Sequence, residues 1–126
     1  MVVFCSTGID KTKTKRNKPT VFDKVKVNEG GCYDDTTGVF TTTVPGTYAF
    51  TATVGSGREN RSIIACITVD GTAYATLRGS YMSSGSSSVS VQLGLGQRVW
   101  VTAESDPDLY YRDELSFTGA LLQSQL

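Results

Sequence analysis

Hydrophobic residues recur at every second position through most of this chain, and in no helix-length stretch do they recur with a period of 3.6. The segment SSVSVQLGL sets Val89, Val91, Leu93 and Leu95 against Ser88, Ser90, Gln92 and Gly94. Successive strand side chains point to opposite faces, so this pattern predicts a half-buried strand and not an amphipathic helix. RVWVTAE repeats it, with Val99, Val101 and Ala103 on one face and Trp100 and Thr102 on the other. TYAFTATV aligns Tyr48, Phe50, Ala52 and Val54 opposite Thr47, Ala49, Thr51 and Thr53, and LSFTGALL aligns Leu115, Phe117, Gly119 and Leu121. β-Branched and aromatic residues dominate these runs, as a pleated, half-buried surface requires.

Turn signals divide the runs at Thr37-Gly38, Pro45-Gly46, Gly55-Ser56-Gly57, Asp70-Gly71 and 94–97. Around eight to ten short strands at this spacing predict an antiparallel sandwich or barrel. SIIACITV is apolar on both faces, so its strand should be covered twice, with a neighbouring subunit as one source of the outer cover. YMSSGSSS reads as a polar loop between two strands.

With 126 residues, the chain reads as one globular domain, 1–126, able to bury a core without a structural metal. Twelve basic and twelve acidic residues balance, so bulk charge gives no general affinity for nucleic acid. The longest strongly apolar run, 63–67, is far too short to span a membrane. VVFCS after Met1 has neither a basic n-region nor a long apolar h-region, and the expectation is that any signal peptide has been removed. The chain contains no histidine, which removes the usual general base of Ser-His and Cys-His catalysis and the commonest zinc ligand. Cys5, Cys32 and Cys66 lack metal-type spacing, and their odd number leaves at least one free or paired between chains. Cys5 and Cys66 read as small buried hydrophobes, and the pairing stays open.

GCYDDTTGVFTTTVPGTYAF holds two adjacent carboxylates, Asp34 and Asp35, directly before a strand. Asp, Thr and Gly there supply side-chain-to-backbone bonds and a permissive backbone, so the pair reads as a corner, not a catalytic site. The spacing across that corner carries more. Phe22, Asn28, Tyr33, Phe40 and then Gly46-x-Tyr48-x-Phe50 follow at intervals that resemble the signature of the C1q globular domain, with Ala52 where the last aromatic usually stands. VFC, VFDKVKVNEG, SVQLGLGQRVW and LSFTGALL extend the resemblance along nearly the whole chain. It implies an all-β jelly-roll sandwich of two five-stranded antiparallel sheets, assembled as a homotrimer. It also implies a secreted, extracellular, non-enzymatic recognition module, of the lectin or pattern-recognition type found in innate immunity. Its ligands would be glycans or lipopolysaccharide-type polyanions. The alternative is an assembly trimer of an extracellular matrix or biomineral, with calcium held in acidic loops.

Two charged loops are the candidate sites. AESDPDLYYRDEL brings five acids together with two tyrosines and Arg112. Asp106 and Asp108 offer two hard oxygen ligands for Ca2+, Tyr110 and Tyr111 offer aromatic faces to a sugar, and Arg112 can pair with a carboxylate. DKTKTKRNKP carries five of the twelve basic residues, among them Lys13, Lys15 and Arg16, a density suited to sulfate or phosphate groups. No aromatic is interleaved there, which argues against single-stranded nucleic acid. A structural alternative that needs no ligand is pairing of the basic and acidic loops between subunits. Tyr81 with its serine neighbours is a further sugar-facing candidate, and Asn60-Arg61-Ser62 is a glycosylation sequon. Phe22, Tyr33, Phe40, Tyr48, Phe50 and Phe117 are expected in the core or at a subunit interface.

Overall fold

The computed structural model of the chain describes residues 1–57, 61–81, 83–106, 110 and 115–125. Ten strands run in order: β1 (Val3–Thr7), β2 (Lys24–Glu29), β3 (Tyr33–Asp34), β4 (Val39–Thr41), β5 (Gly46–Val54), β6 (Ser62–Val69), β7 (Thr72–Ser80), β8 (Gly85–Leu93), β9 (Arg98–Ala103) and β10 (Ser116–Ser124). They form two five-stranded sheets, β2-β1-β10-β5-β8 and β3-β4-β9-β6-β7, with every pairing antiparallel. This is the jelly-roll sandwich that the alternation and the signature predict.

The alternating pattern becomes burial. Tyr48, Phe50, Ala52 and Val54 face inward from β5, while Val99, Val101 and Ala103 face them from β9, all of them buried. The signature aromatics Phe22, Tyr33, Phe40, Tyr48 and Phe50 join Phe4 and Phe117 in one core cluster. Phe4 stacks on Tyr33 with ring centroids 4.9 Å apart and meets Phe117 edge-on at 4.9 Å. Each such pair contributes about 0.5–1.5 kcal/mol beyond the area it buries. Gly119 sits opposite both Phe4 and Phe50, and a Cβ there would lie 2.7 Å from the Phe50 ring. Its missing side chain is therefore what lets the two rings close over β10.

The Asp34 corner is a turn, as predicted. Asp34 Oδ1 accepts from the Thr36 amide at 2.9 Å and the Thr36 hydroxyl at 2.6 Å, and the Asp34 carbonyl accepts from Gly38 N–H at 2.8 Å. These bonds hold the Asp34 carboxyl below its usual value, so the group is occupied in building the loop.

One expectation needs correction. Most of the serine run is strand and not loop: Gly85 to Ser88 pair with Val54 back to Thr51, leaving only 81–84 as the connection. Main-chain bonding to β5 overrides the weak strand preference of serine. Strand β6 is covered twice, with Cys66 and Thr68 buried on its outward side. That cover comes in part from this chain, since Cys66 lies opposite Thr76 and Thr102, and Thr68 lies opposite Trp100.

Candidate functional site

The basic loop does not float free of the sandwich. Asp10 Oδ1 accepts from the backbone N–H and the hydroxyl of Thr12, and the Asp10 carbonyl accepts from the amides of Lys13 and Thr14. Further on, Asn17 N–H donates to the Ala103 carbonyl, Ala103 N–H to Lys18, and Thr20 N–H to Val101. Residues 17–20 thus run alongside β9, beyond the point where short β4 has ended. Lys13, Lys15 and Arg16 are exposed on this anchored loop. Arg16 Nε donates to the Glu104 carbonyl at 3.1 Å. The basic loop therefore meets the start of the acidic one within a single chain.

The acidic loop is only partly described. Asp108, Tyr111 and Arg112 lie outside the described residues, as does Asn60. Asp106 is exposed, and no group of three or more Cys, Asp or Glu side chains gathers into metal-binding distance among the described residues. Tyr110 departs from expectation. It is 2% exposed and belongs to the core cluster, so its ring is not available to a sugar. The isolated bridge between Ser56 and Tyr110 draws that residue inward, and Ser56 bridges Tyr81 as well. Tyr81 remains 44% exposed. Burial pushes the Tyr110 phenol up to about 12, with the Thr20 hydroxyl beside it offsetting part of the shift.

A groove on the outward face of the second sheet was not singled out from the sequence. It has a volume of about 240 Å³ and is bordered by Trp100, Thr102, Thr68, Cys66, Asn17 and Glu104, with Gly71 and Ala73 also lining it. Trp100, Thr102 and Glu104 share a face by alternation, and Thr68 faces Trp100 across β6. Asn17 enters from the loop anchored to β9. Trp100 Nε1 donates to Thr102 Oγ1 at 3.0 Å, and Thr102 and Thr68 share a hydroxyl–hydroxyl bond of 2.7 Å. Thr68 Oγ1 in turn donates to the Cys66 carbonyl at 3.3 Å. Indole N–H only donates, so the relay runs one way, from Trp100 through Thr102 and Thr68 to Cys66. Beneath it, burial pushes the Cys66 thiol up, and the neighbouring Glu104 carboxylate adds to the shift. The thiol is held protonated and unreactive. All three cysteines are free, with Cys5 half-buried and Cys32 and Cys66 buried. The alternation WVTAE could have shown the shared face of Trp100, Thr102 and Glu104; nothing local could have placed Asn17 beside them.

Residues 3–122 match the C1q domain. The chain belongs to the C1q domain family. Among its curated relatives is human complement C1q and tumor necrosis factor-related protein 9B. That protein is 33% identical over 120 residues, which cover 84% of this chain and 34% of the relative. The mouse complement C1q tumor necrosis factor-related protein 2 is 34% identical over 58 residues, 46% of this chain and 20% of the relative. The chain thus spans about a third or less of the length of these relatives. Among solved structures, the globular domain of zebrafish complement 1qA superposes with a TM-score of 0.80 at 17% identity, covering 99% of this chain and 100% of that one. Murine APRIL superposes with a TM-score of 0.76 at 11% identity, covering 96% and 98%. C1q/TNF-like domains are generally trimeric and non-enzymatic. No helix among the described residues is long and apolar enough to cross a membrane.

Proposed function

We propose that this C1q domain is a secreted, homotrimeric, non-enzymatic recognition module. In this reading it binds carbohydrate or microbial-surface polyanions through surfaces repeated three times. The observation that carries the trimer is the outward face of the first sheet. Its residues align in rows across four strands: Val3, Ala120, Ala49 and Ser90; Cys5, Thr118, Thr51 and Ser88; Thr7, Ser116, Thr53 and Ser86. None of these twelve is charged and nearly all are small. A sheet face meant for water ordinarily carries Lys, Arg or Glu, whereas small uncharged residues let another copy approach closely.

Recognition is supported by the exposure of Lys13, Lys15 and Arg16 on an anchored loop and of Tyr81 at the same end of the sandwich. Three copies turn weak single contacts into strong binding, because each further engagement is effectively intramolecular. The test measures solution mass by light scattering and then screens the protein on a glycan and lipopolysaccharide array, with calcium and with chelator. Trimeric mass with selective hits supports the reading, and hits lost in chelator extend it to calcium at Asp106 and Asp108. A monomer, or a trimer without hits, overturns it.

A further inference from the structure

The sheet face left outward by such a trimer carries the groove at Trp100, and its lining is chemically specific. One flat aromatic surface stands among polar groups of fixed direction. The indole nitrogen reaches a side chain two residues along the same strand, so the ring lies along the sheet and is pinned there by its N–H bond. Each hydroxyl of the relay spends its proton on the next group and one lone pair on the group before, which leaves half-buried Thr102 one further lone pair to accept with, while Thr68 is buried beneath it. Asn17 adds an amide with two donors and one acceptor, and Glu104 adds a carboxylate that only accepts. Trp100 is half-buried, so part of the residue meets solvent.

We propose that this groove is a binding site for one neutral pyranose ring. A pyranose has an apolar C–H face, which packs on an indole, and a rim of hydroxyl donors, which matches a lining rich in acceptors. The volume of about 240 Å³ corresponds to roughly eight waters at ~30 Å³ each, a space suited to a single ring. Glu104 brings a carboxylate to a groove whose Asn17 border comes from the basic loop, next to Arg16, so the local charges offset and a neutral ring is the ligand they fit. A planar apolar ligand is disfavoured, because it would leave the Asn17 amide and the Glu104 carboxylate desolvated and unpaired. The inference rests on the recognition reading for its threefold display, but not for the contact itself.

Trp100 is the only tryptophan in the chain, so its fluorescence reports on this site alone. The 126-residue chain is titrated with methyl α-mannopyranoside, methyl β-glucopyranoside, methyl β-galactopyranoside and N-acetylglucosamine. Sorbitol serves as the acyclic control and N-acetylneuraminic acid as the anionic one. At least one neutral ring should change the emission saturably, with a dissociation constant on the order of 1 mM. Sorbitol and the acid should not. Glu104→Gln and Asn17→Gly should each weaken that binding by about tenfold. Asn17 lies at φ +65°, so glycine removes its amide without backbone strain. A silent Trp100 with every neutral ring overturns the assignment. So does preference for the anion, or a response unaffected by both substitutions. Array hits that persist while Trp100 is silent remove the groove and leave the multivalent reading. A saturable titration with an empty array does the reverse.

Discussion

The Tyr33 hydroxyl satisfies both main-chain polar groups of Phe22: it donates to the Phe22 carbonyl at 2.8 Å and accepts the Phe22 N–H at 3.1 Å. Ser6 Oγ donates to the same carbonyl at 2.7 Å. Two residues of the family signature, one before β2 and one in β3, are thereby locked together in the core, just ahead of β2.

Replacing Tyr33 with Phe should cost about 1–3 kcal/mol, because the buried Phe22 N–H loses its partner while Ser6 still serves the carbonyl. Tyr110→Phe should stay within about 1 kcal/mol of the parent. Neither the Tyr110 hydroxyl nor Thr20 Oγ1 meets full hydrogen-bond geometry among the described residues. Denaturant midpoints of the two variants check the contrast; equal losses would contradict it.

Stability should fall steeply in alkali. Burial raises both Tyr33 and Tyr110 above the ordinary phenol value of 10.0, Tyr110 to about 12. The folded state then holds protons that the unfolded chain has already released. The contribution is complete below pH ~10 and is lost as pH rises through the folded-state values. For Tyr110 the loss amounts to roughly 2–3 kcal/mol between pH ~10 and ~12. Unfolding free energies across this window should decline less steeply in Tyr110→Phe than in the parent.

Placing a charge in the uncharged face should dismantle the proposed trimer without unfolding the chain. Ala49 lies outward on β5 between Ala120 and Ser90. Ala49→Arg should give a monomer by light scattering with an unchanged far-ultraviolet circular dichroism spectrum. A trimer that tolerates arginine there would exclude this face as the contact.

If the anchored basic loop holds polyanions, Lys13→Gln with Lys15→Gln should weaken lipopolysaccharide binding. The same change should lower the slope of log K against log salt by about 2 for two lost phosphate contacts. Unchanged affinity and slope would direct attention away from this loop.

Much of the molecule can be read in its residue order. Tyr48, Phe50, Ala52 and Val54, and Val99, Val101 and Ala103, are buried where alternation puts them. The turn at Asp34 forms as its side-chain chemistry dictates. Nothing local marks Tyr110 for burial, because its neighbours are acidic and polar and its bridge is to Ser56, remote in sequence. The serine run hides its strand for a related reason, since its partner is β5 and its own composition carries no sign of that pairing.

The sequence by itself determined which face of each strand turns inward, because side-chain direction alternates with residue number and burial follows residue type. It also determined the family, because the signature aromatics are that inward set. Only the tertiary structure decided what lies beside what. Asn17, Thr68 and Trp100 border one groove because interstrand registers and the anchoring of residues 17–20 along β9 bring them together. Register is fixed by backbone hydrogen bonds between distant segments, and backbone groups are the same at every residue, so no local pattern records which ones will meet.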